Sequence, residues 1–300
     1  MKSQWLKRLV VIGVMGAIAA CSSPNDASPV AEDGSPEATL NETESTDSSI
    51  ATATQIVALT SLTADIVHTL NEDVLVGIPG NPMLREDTRF AGLEIVSEGR
   101  IEPDIEKIVA LQPDLVIGAV GFHDRTLETL EELGIETLGT EVNSWDALKT
   151  LTGDLAQRVG ANPQPLLDRY DACLAQAPTT SPTTLVLVSR QPLLSPNQDS
   201  WAGDFLTQFN IQSLTAELQG DSPFDGYITL SEEKVLESNP ETLLVVETGD
   251  NLLDQLKGDA FWGQLQATQT GAVHTFNYLG LVNPGSLASI EATCLQLSEL

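Results

Sequence analysis

Residues 104–117 read Asp-Ile-Glu-Lys-Ile-Val-Ala-Leu-Gln-Pro-Asp-Leu-Val-Ile, and residues 231–244 read Ser-Glu-Glu-Lys-Val-Leu-Glu-Ser-Asn-Pro-Glu-Thr-Leu-Leu. Glu106, Lys107 and Pro113 return as Glu233, Lys234 and Pro240, with apolar residues facing apolar residues at most positions between. Each copy predicts a short amphipathic helix that a proline stops, because the residue before proline is pushed out of the α region. A short apolar run follows, Leu115–Ala119 or Leu243–Val246, as a strand buried on both faces of a parallel sheet requires. One α/β unit used twice implies two similar lobes with a cleft between them.

Working outward, periodicity predicts strand 55–60, helix 62–70, strand 74–78, helix 103–111, strand 115–119, helix 124–133, strand 136–139 and helix 144–159. A helix over 164–177 carries Leu166, Leu167, Tyr170 and Cys173 on one face. Alternation then resumes with strand 185–189, helix 201–209, strand 211–214 and helix 230–238. Strand 242–247, helix 252–265, strand 272–276 and helix 286–299 complete it. Such β/α alternation implies parallel sheets flanked by helices. The connections 78–94 and 190–200 are long for this class and are candidates for function.

The N-terminus has the layout of an export signal: Lys2, Lys7 and Arg8, then an apolar run from Leu9 to Ala20, then Cys21. Ile18-Ala19-Ala20-Cys21 resembles a bacterial lipobox, after which Cys21 carries lipid and becomes the first residue. From there to Thr54 the chain is rich in Ser, Thr, Ala, Pro, Asp and Glu, with no Lys, Arg or aromatic residue. That composition buries too little surface to offset the entropy of ordering.

The whole chain has a formal charge of −29. Of its 14 basic residues, Lys2, Lys7 and Arg8 fall in the leader, so eleven remain against 43 acidic ones. A surface of this sign excludes nucleic-acid binding by phosphate neutralisation, and an anionic membrane repels it, leaving lipid as the expected membrane contact. No Gly-x-Ser-x-Gly elbow, Walker loop, His-Glu-x-x-His pair or Gly-x-Gly-x-x-Gly turn is present. The expectation is therefore no catalysis, with an enzyme or an adhesin on this fold as the lesser alternatives. His68, His123 and His274 are scattered, which argues against a bare transition-metal site and for metal that arrives chelated. Exported thiols meet an oxidising compartment, so Cys173 and Cys294 are a possible disulfide or two small buried side chains.

Gln55-Ile-Val-Ala-Leu-Thr-Ser-Leu-Thr-Ala-Asp-Ile-Val, Val74-Leu-Val-Gly-Ile and the stretch Arg100-Ile-Glu-Pro-Asp-Ile-Glu-Lys-Ile-Val-Ala-Leu-Gln-Pro-Asp-Leu-Val-Ile carry a resemblance. Together with the lipobox and the acidic tether, they resemble the class III periplasmic solute-binding proteins of ABC importers over roughly residues 55–300. The resemblance implies two Rossmann-like lobes with parallel sheets, a single long backbone helix joining them, and a ligand cleft between. It divides the chain into a signal peptide (1–20), a lipidated Cys21 with its disordered tether (21–54), a first lobe (55–160), a linker helix (161–182) and a second lobe (183–300). It implies a monomeric receptor, exported and tethered to the cell membrane, facing the periplasm or the cell exterior. The receptor has no cofactor of its own and passes a chelated Fe(III) siderophore to an ABC permease dimer with separate ATPase subunits. Cobalamin, then haem, are the alternative ligands.

A chelate presenting oxygen donors wants arginine forks and aromatic walls. Arg100 leads, at a helix-entry loop and matched to a ligand-contacting arginine of ferric-hydroxamate-binding relatives. Phe122 and His123 follow strand 115–119, at the end where open α/β sheets bind ligands. Arg190, Trp201, Tyr227 and Tyr278 lie next to strand ends or helix starts in the second lobe; Arg85 and Arg89 lie in the long first-lobe loop. Glu106 and Glu233 sit in first helical turns, where the helix dipole favours a carboxylate. In the related family such a pair docks onto arginines of the two permease subunits.

Overall fold

The computed structural model describes residues 52–98, 101–220, 222–249 and 251–300. In the first lobe, strands β1 (Ile56–Ala58), β2 (Leu75–Gly80), β3 (Glu94–Glu98), β4 (Leu115–Ala119) and β5 (Glu136–Thr140) form one sheet in the order β3-β2-β1-β4-β5. Every pairing is parallel. Ile56, Val57 and Ala58 are wholly buried, as a central strand covered on both faces must be.

The second lobe is built differently. Strands β6 (Thr184–Leu187), β10 (Thr242–Glu247) and β11 (Val273–Asn277) make a parallel sheet in the order β11-β10-β6. Strands β7 (Ser189–Arg190), β8 (Leu193–Pro196) and β9 (Tyr227–Leu230) make a separate antiparallel sheet. That second sheet accounts for the long connection after Arg190, which folds back as a hairpin.

Both copies of the repeat build the same unit. Asp104 and Ser231 cap their helices, accepting from the backbone N–H of Lys107 (3.1 Å) and Lys234 (3.2 Å). The helices end at Gln112 (φ 50°) and Asn239 (φ 37°), both in the left-handed region, where asparagine is tolerated. Pro113 and Pro240 are buried behind them. The next residue closes the sheet: Asp114 accepts from Thr54 N (2.7 Å) and Oγ1 (2.8 Å), and Glu241 from Thr183 N (2.8 Å) and Oγ1 (3.0 Å). Each carboxylate thus fixes the start of the strand beside its own, β1 or β6.

Several expected elements are corrected. The segment 211–214 forms only an isolated bridge between Ser213 and Thr184. The helix expected over 230–238 starts at Glu232, because β9 occupies the residues before it. The helix expected over 252–265 stops at Lys257 and resumes as a 3-10 turn at Trp262–Gln264. The joining helix is not long: it runs from Gln164 to Leu174, 11 residues, or about 16 Å.

That helix shares the joint with three others, Trp145–Arg158, Trp201–Gln208 and Leu287–Leu297. Trp145 stacks on Trp201 with ring centroids 5.6 Å apart, and its backbone N–H donates to Asp204 Oδ2 at 2.6 Å. Truncating a buried tryptophan of this kind costs about 3–5 kcal/mol. Asp65, 1% exposed, accepts from Arg89 Nη1 (2.9 Å) and from the backbone N–H of Leu287 (2.8 Å). Arg169 Nε donates to Glu291 at 2.7 Å, and Cys173 is joined to Cys294, their Cα atoms 5.6 Å apart. The lobes are bound by a packed seam, not by one strut.

Candidate functional site

The carboxyl ends of all five first-lobe strands open into one cleft. Thr60 follows β1, Asn81 follows β2, Ser97 lies in β3, and Ala119 and Thr140 end β4 and β5. Open α/β sheets place their ligands at this edge. The facing wall comes from the second lobe: Tyr227 at the start of β9, Tyr278 after β11, and Val282 to Pro284. This chamber measures about 570 Å³, within the usual range for small-molecule sites. A second chamber of about 520 Å³ adjoins it and shares Val142, Tyr227 and Val282.

Four of the residues singled out in the sequence meet in the first chamber: Phe122, His123, Tyr227 and Tyr278. Gly121, at φ +77°, makes the turn out of β4 that leaves Phe122 87% exposed at the cleft. His123 turns back, its Nδ1 accepting from the Ala119 N–H at 2.9 Å. The ring proton is therefore on Nε2. Burial lowers the His123 pKa, partly opposed by Asp124, so the ring is neutral at pH 7. Burial raises the Tyr227 pKa, with Tyr278 adding to it, so this hydroxyl stays protonated.

Trp201 lines the second chamber, although it is only 3% exposed. Its Nε1 donates to the Gly280 carbonyl at 2.9 Å. Gly280 has φ +109°, and a Cβ there would collide with Ser289 O and Thr293 Oγ1.

The second-lobe arginine is not brought to the cleft. Arg190 lines neither chamber and grips Asp259 through Nε (2.9 Å) and Nη2 (2.6 Å). This fork raises the guanidinium pKa and lowers the carboxyl pKa. Arg85 is held by Glu98 and Arg89 by Asp65 and Asp87. Arg100 lies outside the described residues; its sequence neighbours Ile101 and Glu102 line the first chamber. Cys21 also lies outside them.

Sequence reasoning missed the small polar residues of the cleft, among them Thr60, Asn81, Thr140 and Asn283. Their signal was position, at or just past a strand's carboxyl end. It also missed three carboxylates around the second chamber, Glu141, Asp199 and Asp225. Among the described residues no Lys or Arg lines either chamber. Among the described residues, positive potential in the first chamber comes from the starts of helices Ser61–Leu70 and Asp124–Glu132, through the helix dipole. Among the described residues no group of three His, Cys, Asp or Glu is placed to hold a metal ion.

Away from the cleft, Glu106 and Glu233 are exposed and make no ion pair or hydrogen bond with a described residue. No described helix is long and apolar enough to cross a membrane.

Residues 56–277 match the family model described as periplasmic binding protein. The chain belongs to the periplasmic binding protein family. A comparison with curated proteins finds no match. Among solved structures, an ABC transporter substrate-binding protein from Listeria monocytogenes superposes with a TM-score of 0.67 at 19% identity, covering 82% of this chain and 97% of that one. The periplasmic vitamin B12 binding protein BtuF of Vibrio cholerae is similar at TM-score 0.58 and 21% identity, covering 82% and 98%. The siderophore periplasmic binding protein from the fuscachelin gene cluster of Thermobifida fusca gives 0.58 and 20%, covering 83% and 97%. At these identities the likeness is one of fold. Periplasmic binding proteins of this family serve ABC importers, in which permease and ATPase subunits do the transport, and they face the periplasm as exported, non-enzymatic components.

Proposed function

We propose that this periplasmic binding protein captures a ferric siderophore in the cleft and delivers it to an ABC permease. The observation that carries the reading is the cleft wall itself. Phe122, Tyr227 and Tyr278 stand around a space of about 570 Å³ whose other lining is aliphatic side chains, small hydroxyls, the amides Asn81 and Asn283, the neutral His123 and one carboxylate, Glu102. Aromatic rings pack on the organic arms of a chelate, and the small polar groups hydrogen-bond its donor oxygens. Arg100, preceding Ile101 at the cleft, is proposed to reach the same oxygens. A corrinoid is the second reading, favoured by the amides Asn81 and Asn283 in the lining, which pair with carboxamide arms.

Acylation at Cys21 is proposed to hold the protein, as a monomer, at the membrane it serves. Glu106 and Glu233 are proposed to meet arginines on the two permease subunits.

Intrinsic fluorescence tests the ligand, because Trp201 lines the second chamber. Ferric hydroxamates, ferric catecholates, cobalamin and haemin are titrated in turn. Saturable quenching at micromolar or lower concentration by a ferric siderophore is expected. Quenching by cobalamin alone selects the second reading, and no quenching by any chelate overturns both.

A further inference from the structure

Most of the second-lobe wall of the first chamber is one turn of chain. Residues 277–285 leave β11 and bring Tyr278, Val282, Asn283 and Pro284 to the cleft. The turn is tied to itself. Asn277 Oδ1 accepts from the Leu279 N–H (2.8 Å), and Asn283 N donates to the Tyr278 carbonyl (3.0 Å). The Asn283 carbonyl in turn accepts from Gly280 N (2.6 Å) and Gly285 N (2.7 Å). These bonds set the shape of the turn; its place in the lobe is set at Leu281, which is buried, and at Gly280.

Gly280 presses so closely on helix Leu287–Leu297 that no Cβ fits between. Its carbonyl cannot be satisfied by helical bonding, because the residue four places on is Pro284, which has no N–H. The indole of Trp201 meets the need, Nε1 donating to that carbonyl at 2.9 Å in a buried position. Helix Trp201–Gln208 also grips the first lobe: Trp201 stacks on Trp145, and Asp204 accepts from the Trp145 backbone N–H. One short helix therefore holds both the end of the first lobe and the cleft wall of the second.

The two stacked indoles provide an internal control. Trp145 is 1% exposed and Trp201 3%. Trp145 Nε1 has no hydrogen-bond partner among the described residues, whereas Trp201 Nε1 has Gly280. Removing an unbonded donor leaves nothing unsatisfied, but removing the donor of a buried carbonyl does.

We propose that Trp201 is a positioning residue for the cleft. Through its indole N–H it sets the turn 277–285, and with it Tyr278 and Asn283, at the spacing from the first lobe that grips a chelate. It acts through Gly280 and not by contact with the chelate. The effect on affinity rests on the chelate-binding reading above; the effect on the turn does not.

Trp201→Phe and Trp145→Phe, compared in the full chain, test this. Each removes one indole N–H and a similar volume from the same stack, so both should lower Tm. Hydrogen–deuterium exchange of the chelate-free protein, read in peptides spanning 277–285, reports on the turn. Exchange there should be about ten-fold faster in Trp201→Phe and native-like in Trp145→Phe. Isothermal titration calorimetry with ferrioxamine B, ferric enterobactin and cobalamin reports on the site. Whichever of these the native protein binds should bind about ten-fold more weakly to Trp201→Phe, the effect of one hydrogen bond, and as tightly as before to Trp145→Phe. A phenyl ring also leaves a void, so Trp201→3-benzothienylalanine, which keeps the fused rings and lacks the N–H, is the second variant and should reproduce both effects. Native-like exchange in that variant, or equal changes in Trp145→Phe, overturns the positioning role. Faster exchange with unchanged affinity for a chelate that the native protein binds overturns its bearing on the site. If the native protein binds none of the three, the chelate reading falls, and exchange alone decides whether Trp201 sets the turn.

Discussion

The first lobe leaves the strand of its repeat, β4, through a neutral imidazole, and the second leaves the equivalent strand, β10, through a carboxylate. After β4, His123 folds back to accept the Ala119 N–H and begins a helix without giving it a side-chain cap. After β10, Glu247 accepts from the N–H groups of Leu252 and Leu253, both at 3.0 Å. The lysines of the repeat differ as well. Lys107 reaches across to the Ile95 carbonyl at 3.1 Å and to Glu94, whereas Lys234 pairs within its own helix with Glu237 at 2.7 Å. Only the first lobe has a parallel strand, β3, at that place. What the lobes share is the backbone closure of cap, left-handed residue, proline and carboxylate. What separates them lies at these two strand ends, where the first lobe offers the uncharged Phe122 and His123 to the cleft.

The largest test of the shared part is on the outside. Glu106 and Glu233 occupy equivalent, exposed positions, as the proposed docking onto two like permease subunits requires. Glu106→Lys with Glu233→Lys is expected to lower uptake and ATPase stimulation about a hundred-fold or more. Chelate affinity of the isolated protein should not move. Each single reversal should fall between, and to a similar level, if the lobes dock equivalently; normal uptake by the double variant removes the docking assignment.

A smaller effect tests the sheet closure. Asp114→Ala releases three donated hydrogen bonds, from Thr54 N, Thr54 Oγ1 and Gln55 N, and is expected to cost about 1–2 kcal/mol. Glu241→Ala should lower Tm in the same direction but less, because its longer side chain accepts only the two bonds to Thr183. Equal melting of Asp114→Ala and native protein would show that the closure does not support the first lobe.

The smallest effect is of pH, and it belongs to the first lobe alone. The folded pKa of His123 lies below its ordinary 6.5, so the folded protein binds fewer protons than the unfolded chain. Stability is present above pH 6.5 and falls as pH drops through that value towards the folded pKa. The ring is partly exposed, so the loss is under about 1 kcal/mol. Thermal melts from pH 7.5 to 5.5 should show this slope in the native protein and a flatter one in His123→Gln. Parallel slopes would place the titration elsewhere.

How legible all this was follows residue by residue. Leu115–Ala119 and Thr242–Glu247 were readable because both faces are buried, and the run of apolar residues has no other use. Glu94–Glu98 escaped because it is an edge strand with exposed glutamates at both ends and only Val96 and Ser97 buried. The antiparallel sheet escaped because alternation of strand and helix leads one to expect a crossover after β6, where the chain instead turns back at Arg190. In the cleft, aromatic residues beside strand ends stood out by their scarcity. Glu141, Asp199 and Asp225 did not, since 43 acidic residues give no reason to choose three. Arg190 was misread for a related cause: a lone arginine in an acidic chain finds a carboxylate first, and here Asp259 holds it.

The seam between the lobes also bears on the order in which the protein is made. Asp65 accepts the Leu287 N–H across 222 residues of sequence, and Arg169 and Cys173 take partners 122 and 121 residues further on. None of these contacts can form while the chain is still emerging, and each requires closing a long loop. Until helix Leu287–Leu297 has arrived, the first lobe keeps a carboxylate without its full set of donors at the joint. Formation of the joint therefore waits on helix Leu287–Leu297, and a chain truncated before it is expected to lose the Asp65, Arg169 and Cys173 contacts together.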